Sequence, residues 1–177
     1  MPTGIIGFLK RLWWTLKSLD NIGVFLIDYT GKVKNQDLIY RTRNGLKIVA
    51  RAGTADKSEI PIIFSNKEYP KKYFPQKDNP TIIDIGAHIG CFSLYIGEEL
   101  KKNNPRIYSI EPSDDNFDYL KKNSQLNKTS LKCFNMAITD KNGEGFLDRE
   151  QSSDSFTVRH EVDKRIIKRY QKCQTMT

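Results

Sequence analysis

Two hydrophobic patterns divide the chain. Near the N-terminus, in GIIGFLKRLWWTLKSL, apolar residues recur every three or four positions with Lys10, Arg11 and Lys17 between them. This spacing predicts an amphipathic helix. From residue 81 onward, short β-branched runs alternate with longer helical patterns. That alternation predicts right-handed βαβ units and a parallel sheet.

The apolar stripe of the N-terminal helix has two possible positions. Its members are Ile5, Ile6, Leu9, Leu12, Trp13, Leu16 and Leu19. The stripe docks on the protein's own core, which is the commoner arrangement, or it lies in a membrane interface, which suits Trp and Leu beside basic residues. We therefore expect core packing, with peripheral membrane contact through residues 5–19 as the alternative.

Residues 38–80 are expected to form a hairpin, a short helix and a linker. LIYRT and LKIVAR flank Asn44-Gly45, a pair that favours a tight turn with positive φ at both residues. In TADKSEIPIIF, Thr54 or Asp56 is placed to cap a helix, and Pro61 must lie in its first turn or break it. YPKKYFPQKDNP then predicts a linker.

Residues 1–37 are expected to form a helical lead. The α/β pattern occupies the last segment, residues 81–177. The predicted strands are TIIDI, RIYSI and LKCFNMAI, and the predicted helices run from Cys91 to Leu100 and from Asp114 to Leu126. Ser113 is well placed to cap the second helix. Asn142-Gly143 predicts another hairpin leading into GFLDRE.

Composition narrows the possible partners. The 177 residues carry a net charge of +8, from 29 Lys+Arg against 21 Asp+Glu, which favours anionic partners. The basic residues are dispersed as pairs with acids between them, so we do not expect nucleic-acid binding. No run reaches the length of a membrane span, and no signal-peptide pattern is present. A cytoplasmic protein, or one peripheral at the membrane, is expected.

The cysteine pattern argues against a disulfide framework or a metal site. Cys91, Cys133 and Cys173 are widely spaced and form no CxxC motif, and the chain has only 2 His residues. We therefore expect reduced thiols and no bound metal.

DIGAHIG, residues 84–90, places a glycine turn between a buried strand and a helix, where α/β sheets bind ligands. Glu111 ends the next strand and can accept hydrogen bonds from ribose hydroxyls. The second glycine of the dinucleotide fingerprint would fall at His88, whose side chain blocks a pyrophosphate. The pattern therefore favours a nucleoside without a pyrophosphate and disfavours an NAD-dependent oxidoreductase.

DIGAHIGCFSLY, IYSIEPSDDNFDYLKKNSQLN and CFNMAITDKNGEGFL, in this order, resemble the FkbM-type methyltransferases, over roughly residues 38–160. The resemblance implies a Rossmann-like class I sheet with helices on both faces, and S-adenosylmethionine as cofactor. It also implies a site made of Asp84, Gly86, Ala87, His88 and Gly90 around the methionine moiety, Glu111 and Pro112 at the ribose, and Asn135, Met136 and Ala137 near the adenine. His88 stands where the family more often has Asn.

The resemblance further implies O-methylation of a hydroxyl on a saccharide, a glycolipid or a secondary metabolite. The family's acidic fourth-strand segment is not found after the third strand, so we expect a sheet truncated there. The apolar TIIDI strand would then be an exposed edge through which the chain self-associates. Either the chain is a fragment of a longer methyltransferase, or a partner completes its sheet.

No catalytic residue can be named from the sequence. Asp56, His160 and Tyr69 are candidates for a general base, and both histidines are expected to be structural or exposed. A non-catalytic methyltransferase-like module that tethers a partner or a membrane is the alternative function.

Overall fold

The computed structural model describes residues 4–65, 68–148, 157–161 and 170–177. The helices are α1 Gly4–Ser18, α2 Ile22–Tyr29, α3 Asp56–Phe64, α4 Cys91–Glu99 and α5 Asp114–Leu126, with 3-10 turns at Lys71–Tyr73 and Lys101–Asn103. The strands are β1 Asp37–Arg41, β2 Lys47–Arg51, β3 Thr81–Ile85, β4 Arg106–Ile110, β5 Leu131–Phe134, β6 Ala137–Ile138, β7 Gly143–Asp148, β8 Val158–Arg159 and β9 Tyr170–Met176.

A parallel sheet in the order β3-β4-β5 forms the centre of the α/β unit. Helices α4 and α5 are the two crossover connections, as the alternating pattern predicts, so the α/β class is confirmed. Ile96 of α4 and Leu100, which follows the helix, pack against Ile107 of β4 and cover one face of the sheet. Because β3 and β4 are parallel, their carboxyl ends lie side by side.

The opposite face of this sheet is open in the described part of the chain. Ile83 and Ile85 of β3 are 62% and 63% exposed, and Phe134 of β5 is 37% exposed. β3 pairs only with β4 among the described strands, so it is also an edge strand. Within the described residues TIIDI thus lies at an edge, as expected, and helices on both faces are not seen there, while truncation of the sheet stays a prediction.

The predicted third strand, LKCFNMAI, is wrong as a single strand. β5 ends at Phe134 and belongs to the parallel sheet, whereas β6 belongs to a second sheet in the order β6-β9-β7-β8. Asn135 lies between the two strands and donates its Nδ2 hydrogen to the Glu111 carbonyl oxygen, 3.1 Å away. This side-chain bond, together with the change of sheet, explains the break.

The hairpin predicted at Asn142-Gly143 is also wrong. β7 pairs with β9 and β8, and β9 lies between β6 and β7. Strand β9 was not predicted from the sequence, because YQKCQTM is rich in polar residues although buried and exposed positions alternate in its second half. Arg149 and Glu150 of the predicted GFLDRE run lie outside the described residues.

The hairpin at Asn44-Gly45 is confirmed by the antiparallel pairing of β1 with β2. Its turn differs from the predicted one, because Gly45 has a φ of +90° whereas Asn44 is not among the residues with positive φ. The Thr42 amide donates to the Leu46 carbonyl, which closes a three-residue loop with glycine in the left-handed position.

Helix α3 accommodates its proline differently from the prediction. Pro61 lies inside the helix rather than in its first turn, and the helix continues to Phe64. Neither Thr54 nor Asp56 is the N-cap; that position is Ala55. The Asp56 side chain is fully buried and turned toward other partners.

The stripe of α1 faces away from the protein over most of its described length. Leu9, Trp13 and Leu16 are 54%, 48% and 46% exposed. The small residues Gly7, Thr15 and Ser18 are buried instead, on the side of the helix that packs against α3. Core docking is therefore wrong for the three exposed residues.

At the end of α1, core docking is correct for Leu19, which is 1% exposed. The side chains of Ile5 and Ile6 lie outside the described residues. None of the helices in the described part of the chain has the length and apolar character needed to cross a bilayer.

One hydrophobic cluster joins the N-terminal elements to the α/β unit. It contains Leu19, Phe25, Tyr40, Leu46, Ile48, Ala50, Ile60, Ile63, Phe64, Ile89, Cys91, Leu94 and Tyr95. Phe64 of α3 packs edge-on against Tyr95 of α4, with 5.7 Å between ring centroids. The elements before residue 81 therefore share their core with the helix that follows the glycine turn.

Candidate functional site

The glycine turn follows β3 and leads into α4. Gly86 has a φ of +78° and no heavy atom within 4 Å of the position that a Cβ would occupy. Gly90 has a φ of +90°, and a Cβ there would lie 2.7 Å from Leu120 Cδ1. At both positions the positive φ favours glycine. The space beside Gly86 is open, whereas close packing against Leu120 of α5 also favours glycine at position 90.

The backbone of the turn is fastened to the end of β4. The amides of Gly86 and Ala87 both donate to the Ile110 carbonyl oxygen, each at 2.9 Å. The His88 amide donates to Glu111 Oε2, also at 2.9 Å. These bonds hold the two strand ends in one fixed arrangement.

Glu111 is 3% exposed and bonded to the protein. Its Oε1 accepts from the Ser113 amide at 3.0 Å and from Asn116 Nδ2 at 3.3 Å, while its Oε2 accepts from the His88 amide. A carboxylate can accept about four hydrogen bonds, so one acceptor position remains beyond these three. Its predicted contact with ribose hydroxyls stays a prediction.

Asp84, the last polar residue of β3, is turned into the protein. Its Oδ2 accepts from Ser93 Oγ at 2.6 Å, and that hydroxyl lies 2.6 Å from Ser109 Oγ of β4. Burial, which outweighs the Ser93 hydrogen bond, raises the pKa of Asp84 above its usual value. The carboxyl also borders the cavity in front of the turn.

His88 connects the turn to α3. It has a φ of +52°, and its side chain is buried. Nδ1 lies 2.8 Å from Glu59 Oε2 and Nε2 lies 3.3 Å from Asp56 Oδ1. Burial alone would lower the pKa of His88, but the hydrogen bonds to these two carboxylates outweigh it and raise the pKa to about 9. A pKa raised in this way favours the protonated imidazolium at neutral pH.

Arg51, the last residue of β2, completes this polar cluster. Its Nε and Nη2 donate to the two carboxylate oxygens of Asp56, both at 2.9 Å. Burial would raise the pKa of Asp56, but the bonds from His88 and Arg51 hold it well below its usual range. Arg51 Nη2 also donates to Asn116 Oδ1 at 2.7 Å, and Asn116 in turn donates to Glu111.

A cavity of about 340 Å³ opens in front of the turn, between α3, the start of α4 and residues 68–69. Its lining comprises Glu59, Ile62, Ile63, Glu68, Tyr69, Asp84, Ile85, Gly86, Ala87, His88, Cys91 and Phe92. The lining therefore includes three acidic residues, Glu59, Glu68 and Asp84, beside one histidine. Such a lining favours a ligand that carries positive charge.

The predicted adenine-side residues lie just beyond β5. Asn135 is bonded to the Glu111 and Pro112 carbonyl oxygens, at 3.1 and 3.5 Å. Met136 is half-buried, and Ala137 is 4% exposed and part of β6. The structure thus brings Glu111, Pro112 and Asn135 together, whereas Ala137 is largely occupied by packing in the second sheet.

Four residues of the cavity and the polar cluster were not predicted from the sequence: Arg51, Glu59, Glu68 and Asn116. The spacing of Asp56 and Glu59, three residues apart on one helix, is a local signal that they share a face. No local signal relates them to His88, because the contacts span about 30 residues of sequence.

The three catalytic candidates from the sequence lie in different places. Tyr69 lines the cavity. Asp56 is fully buried and held by Arg51 and His88. His160 directly follows β8, with Nδ1 3.3 Å from the Glu144 carbonyl oxygen. Among the described residues, no group of three or more His, Cys, Asp or Glu is arranged to hold a metal ion.

The described residues thus define an α/β fold with a three-stranded parallel sheet and a glycine turn at its carboxyl edge. No protein-family model matches the chain, and no curated protein matches it. Solved structures similar to it include a transferase, PH0793, from Pyrococcus horikoshii, at 23% identity over 57% of this chain and 36% of that chain, with a TM-score of 0.43.

Two further solved structures are also similar to this chain. P. horikoshii TYW2 in complex with MeSAdo is 25% identical over 61% of this chain and 39% of that chain, with a TM-score of 0.45. The M. jannaschii tRNA m1G37 methyltransferase is 20% identical over 60% of this chain and 36% of that chain, with a TM-score of 0.35. The chain thus spans less than two fifths of each, and none of the three is named as an FkbM-type enzyme.

Proposed function

We propose that the chain carries the S-adenosylmethionine site of a methyltransferase. The observation that supports this most is the open glycine turn at Gly86, at the carboxyl end of β3 and beside the buried acid Glu111 at the end of β4. Ligands of α/β sheets bind outside the carboxyl ends of the strands.

The charge of the cavity supports this cofactor. S-adenosylmethionine carries a sulfonium and an ammonium group against one carboxylate, so its methionine end has a net positive charge. Glu59, Glu68 and Asp84 are the acidic residues of the cavity lining, and His88 is its one basic residue. The acidic residues would attract the cationic centres of the cofactor.

The proposed reaction is methyl transfer to a hydroxyl of a saccharide, a glycolipid or a secondary metabolite, as the FkbM-type motifs imply. The acceptor oxygen must approach the sulfonium methyl in line, and a general base assists when the acceptor is a hydroxyl. Glu59 and Glu68 are carboxylates on the cavity wall from which such a base would act. Glu59 is already oriented by its bond to His88.

Isothermal titration with S-adenosylmethionine, its demethylated product and NAD tests the proposal. We expect binding of the first two and none of NAD. Asp84→Asn should weaken binding by about tenfold, since it removes one carboxylate from the cationic end. Asp118→Asn on the exposed face of α5 is the matched control and should bind as wild type. A folded wild-type chain that binds neither adenosyl compound would refute the proposal.

A further inference from the structure

We propose that α1 is an interfacial anchor that docks on a bilayer surface bearing anionic headgroups. This role is independent of the proposed methyltransferase activity. It rests on the orientation of the helix, its charge and the composition of its outward face.

The orientation of α1 is the first observation. Leu9, Trp13 and Leu16 follow each other at intervals of four and three residues, so they lie on one face of the helix. That face is about half exposed, while the opposite face, with Thr15 and Ser18, is buried against the protein. The helix therefore buries the small and polar residues Thr15 and Ser18 and exposes the stripe of Leu9, Trp13 and Leu16.

The charge of α1 is the second observation. The helix contains Lys10, Arg11 and Lys17 and no acidic residue. Lys10 and Lys17 are exposed, and Lys17 Nζ lies 3.7 Å from the centroid of the Trp13 ring. An apolar stripe with basic residues along its flank matches a bilayer interface, where the stripe enters the acyl boundary and the ammonium groups meet anionic headgroups.

The elements next to α1 also expose apolar side chains and carry basic charge. Helix α2, which contacts α1, exposes Leu26 and Ile27 at 41% and 52%. Arg43 donates from Nε to the Leu16 carbonyl oxygen at 2.9 Å, which places a further cation at the C-terminal end of α1. Asp20 lies 4.0 Å from Arg43 and offsets part of that charge. The net charge of α1 and the residues at its C-terminal end is therefore positive.

Vesicle sedimentation of the full chain tests the proposal, with phosphatidylcholine vesicles compared with vesicles that also contain phosphatidylserine. We expect binding to the mixed vesicles to be at least about tenfold tighter than to the neutral ones. The double variant Leu9→Glu, Trp13→Glu should lose about tenfold or more of this binding. Leu126→Glu is the matched control, because Leu126 is 40% exposed on α5, and it should bind as wild type.

A charge arm separates the electrostatic contribution. Lys10→Glu with Lys17→Glu should weaken binding by about fivefold or more for each charge changed, whereas Lys102→Glu, at an exposed site away from α1, should not. Failure of the folded chain to bind either vesicle, or equal loss in the Leu126→Glu control, would overturn the proposal. Concentration-dependent dimerisation that Leu9→Glu abolishes, without vesicle binding, would show a second copy on this face and would also overturn it.

Discussion

The Nδ1 atom of His88 lies 2.8 Å from the Oε2 atom of Glu59. This contact fastens the glycine turn to helix α3, an element that precedes the α/β unit in sequence. Because Asp56 on the same helix faces the other nitrogen of His88, the turn is held by two carboxylates of α3. The shape of the cavity therefore depends on residues before position 81.

The protonation of His88 should make folding stability depend on pH. Its pKa is raised to about 9 in the folded chain, against about 6.5 for an unperturbed histidine. The stabilisation is fully present below about pH 6.5 and is lost as the pH rises through about 9, and it amounts to about 3 kcal/mol.

His88→Asn isolates this contribution, since Asn tolerates the positive φ at this position. We expect urea unfolding to show that the difference in stability between wild type and variant shrinks from pH 6 to pH 10. A difference that is constant across this range would mean that His88 is neutral in the folded chain.

Removal of the Arg51 guanidinium should be costly. Arg51→Met leaves the fully buried Asp56 with a weakened set of partners, and breaking a buried ion pair costs about 3–5 kcal/mol. Lys121→Met removes an exposed pair with Asp118 and should cost less than about 1 kcal/mol. Chemical denaturation of both variants checks the contrast, and equal losses would contradict it.

The two glycines of the turn should differ in their tolerance of alanine. Both have positive φ, which costs an alanine about 1–2 kcal/mol. Gly90→Ala adds a Cβ 2.7 Å from Leu120 Cδ1, whereas Gly86→Ala meets open space. We therefore expect the larger loss of unfolding free energy for Gly90→Ala. Equal losses would mean that Leu120 moves aside at no cost.

The open side of β3 should promote association. An edge strand with exposed apolar side chains is prone to pair with another chain, and a lysine on it blocks such pairing. Sedimentation equilibrium should detect association of the wild type that Ile83→Lys reduces and Leu126→Lys, on α5, does not. A wild type that stays monomeric at high concentration would contradict this prediction.

Local sequence signals predicted the centre of the fold well. TIIDI, RIYSI and the helix from Asp114 to Leu126 appear where the pattern places them, and Ser113 caps that helix by accepting from the Asn116 amide. These elements are set by period, β-branching and capping, which act over a few residues. The long break-free run LKCFNMAI gave no local sign that it divides between two sheets.

The site could be predicted only in part. Asp84, Gly86 and Glu111 are adjacent in the structure because parallel strands bring their carboxyl ends together, a rule that follows from topology. The cluster of Arg51, Asp56, Glu59 and His88 arises from tertiary contacts, which neither spacing nor composition reveals. Likewise, periodicity predicted the amphipathic character of α1 but not which face the protein would bury.

The most direct test of the central claim is to locate S-adenosylmethionine on the chain by heteronuclear NMR. The account predicts that the amide resonances of Gly86, Ala87 and Asn135 shift as the cofactor is added, while those of Gly143 and Gln125 do not. NAD at the same concentration should leave all five unchanged. Shifts confined to residues away from the glycine turn, or no shifts in a folded chain, would contradict the proposed cofactor site.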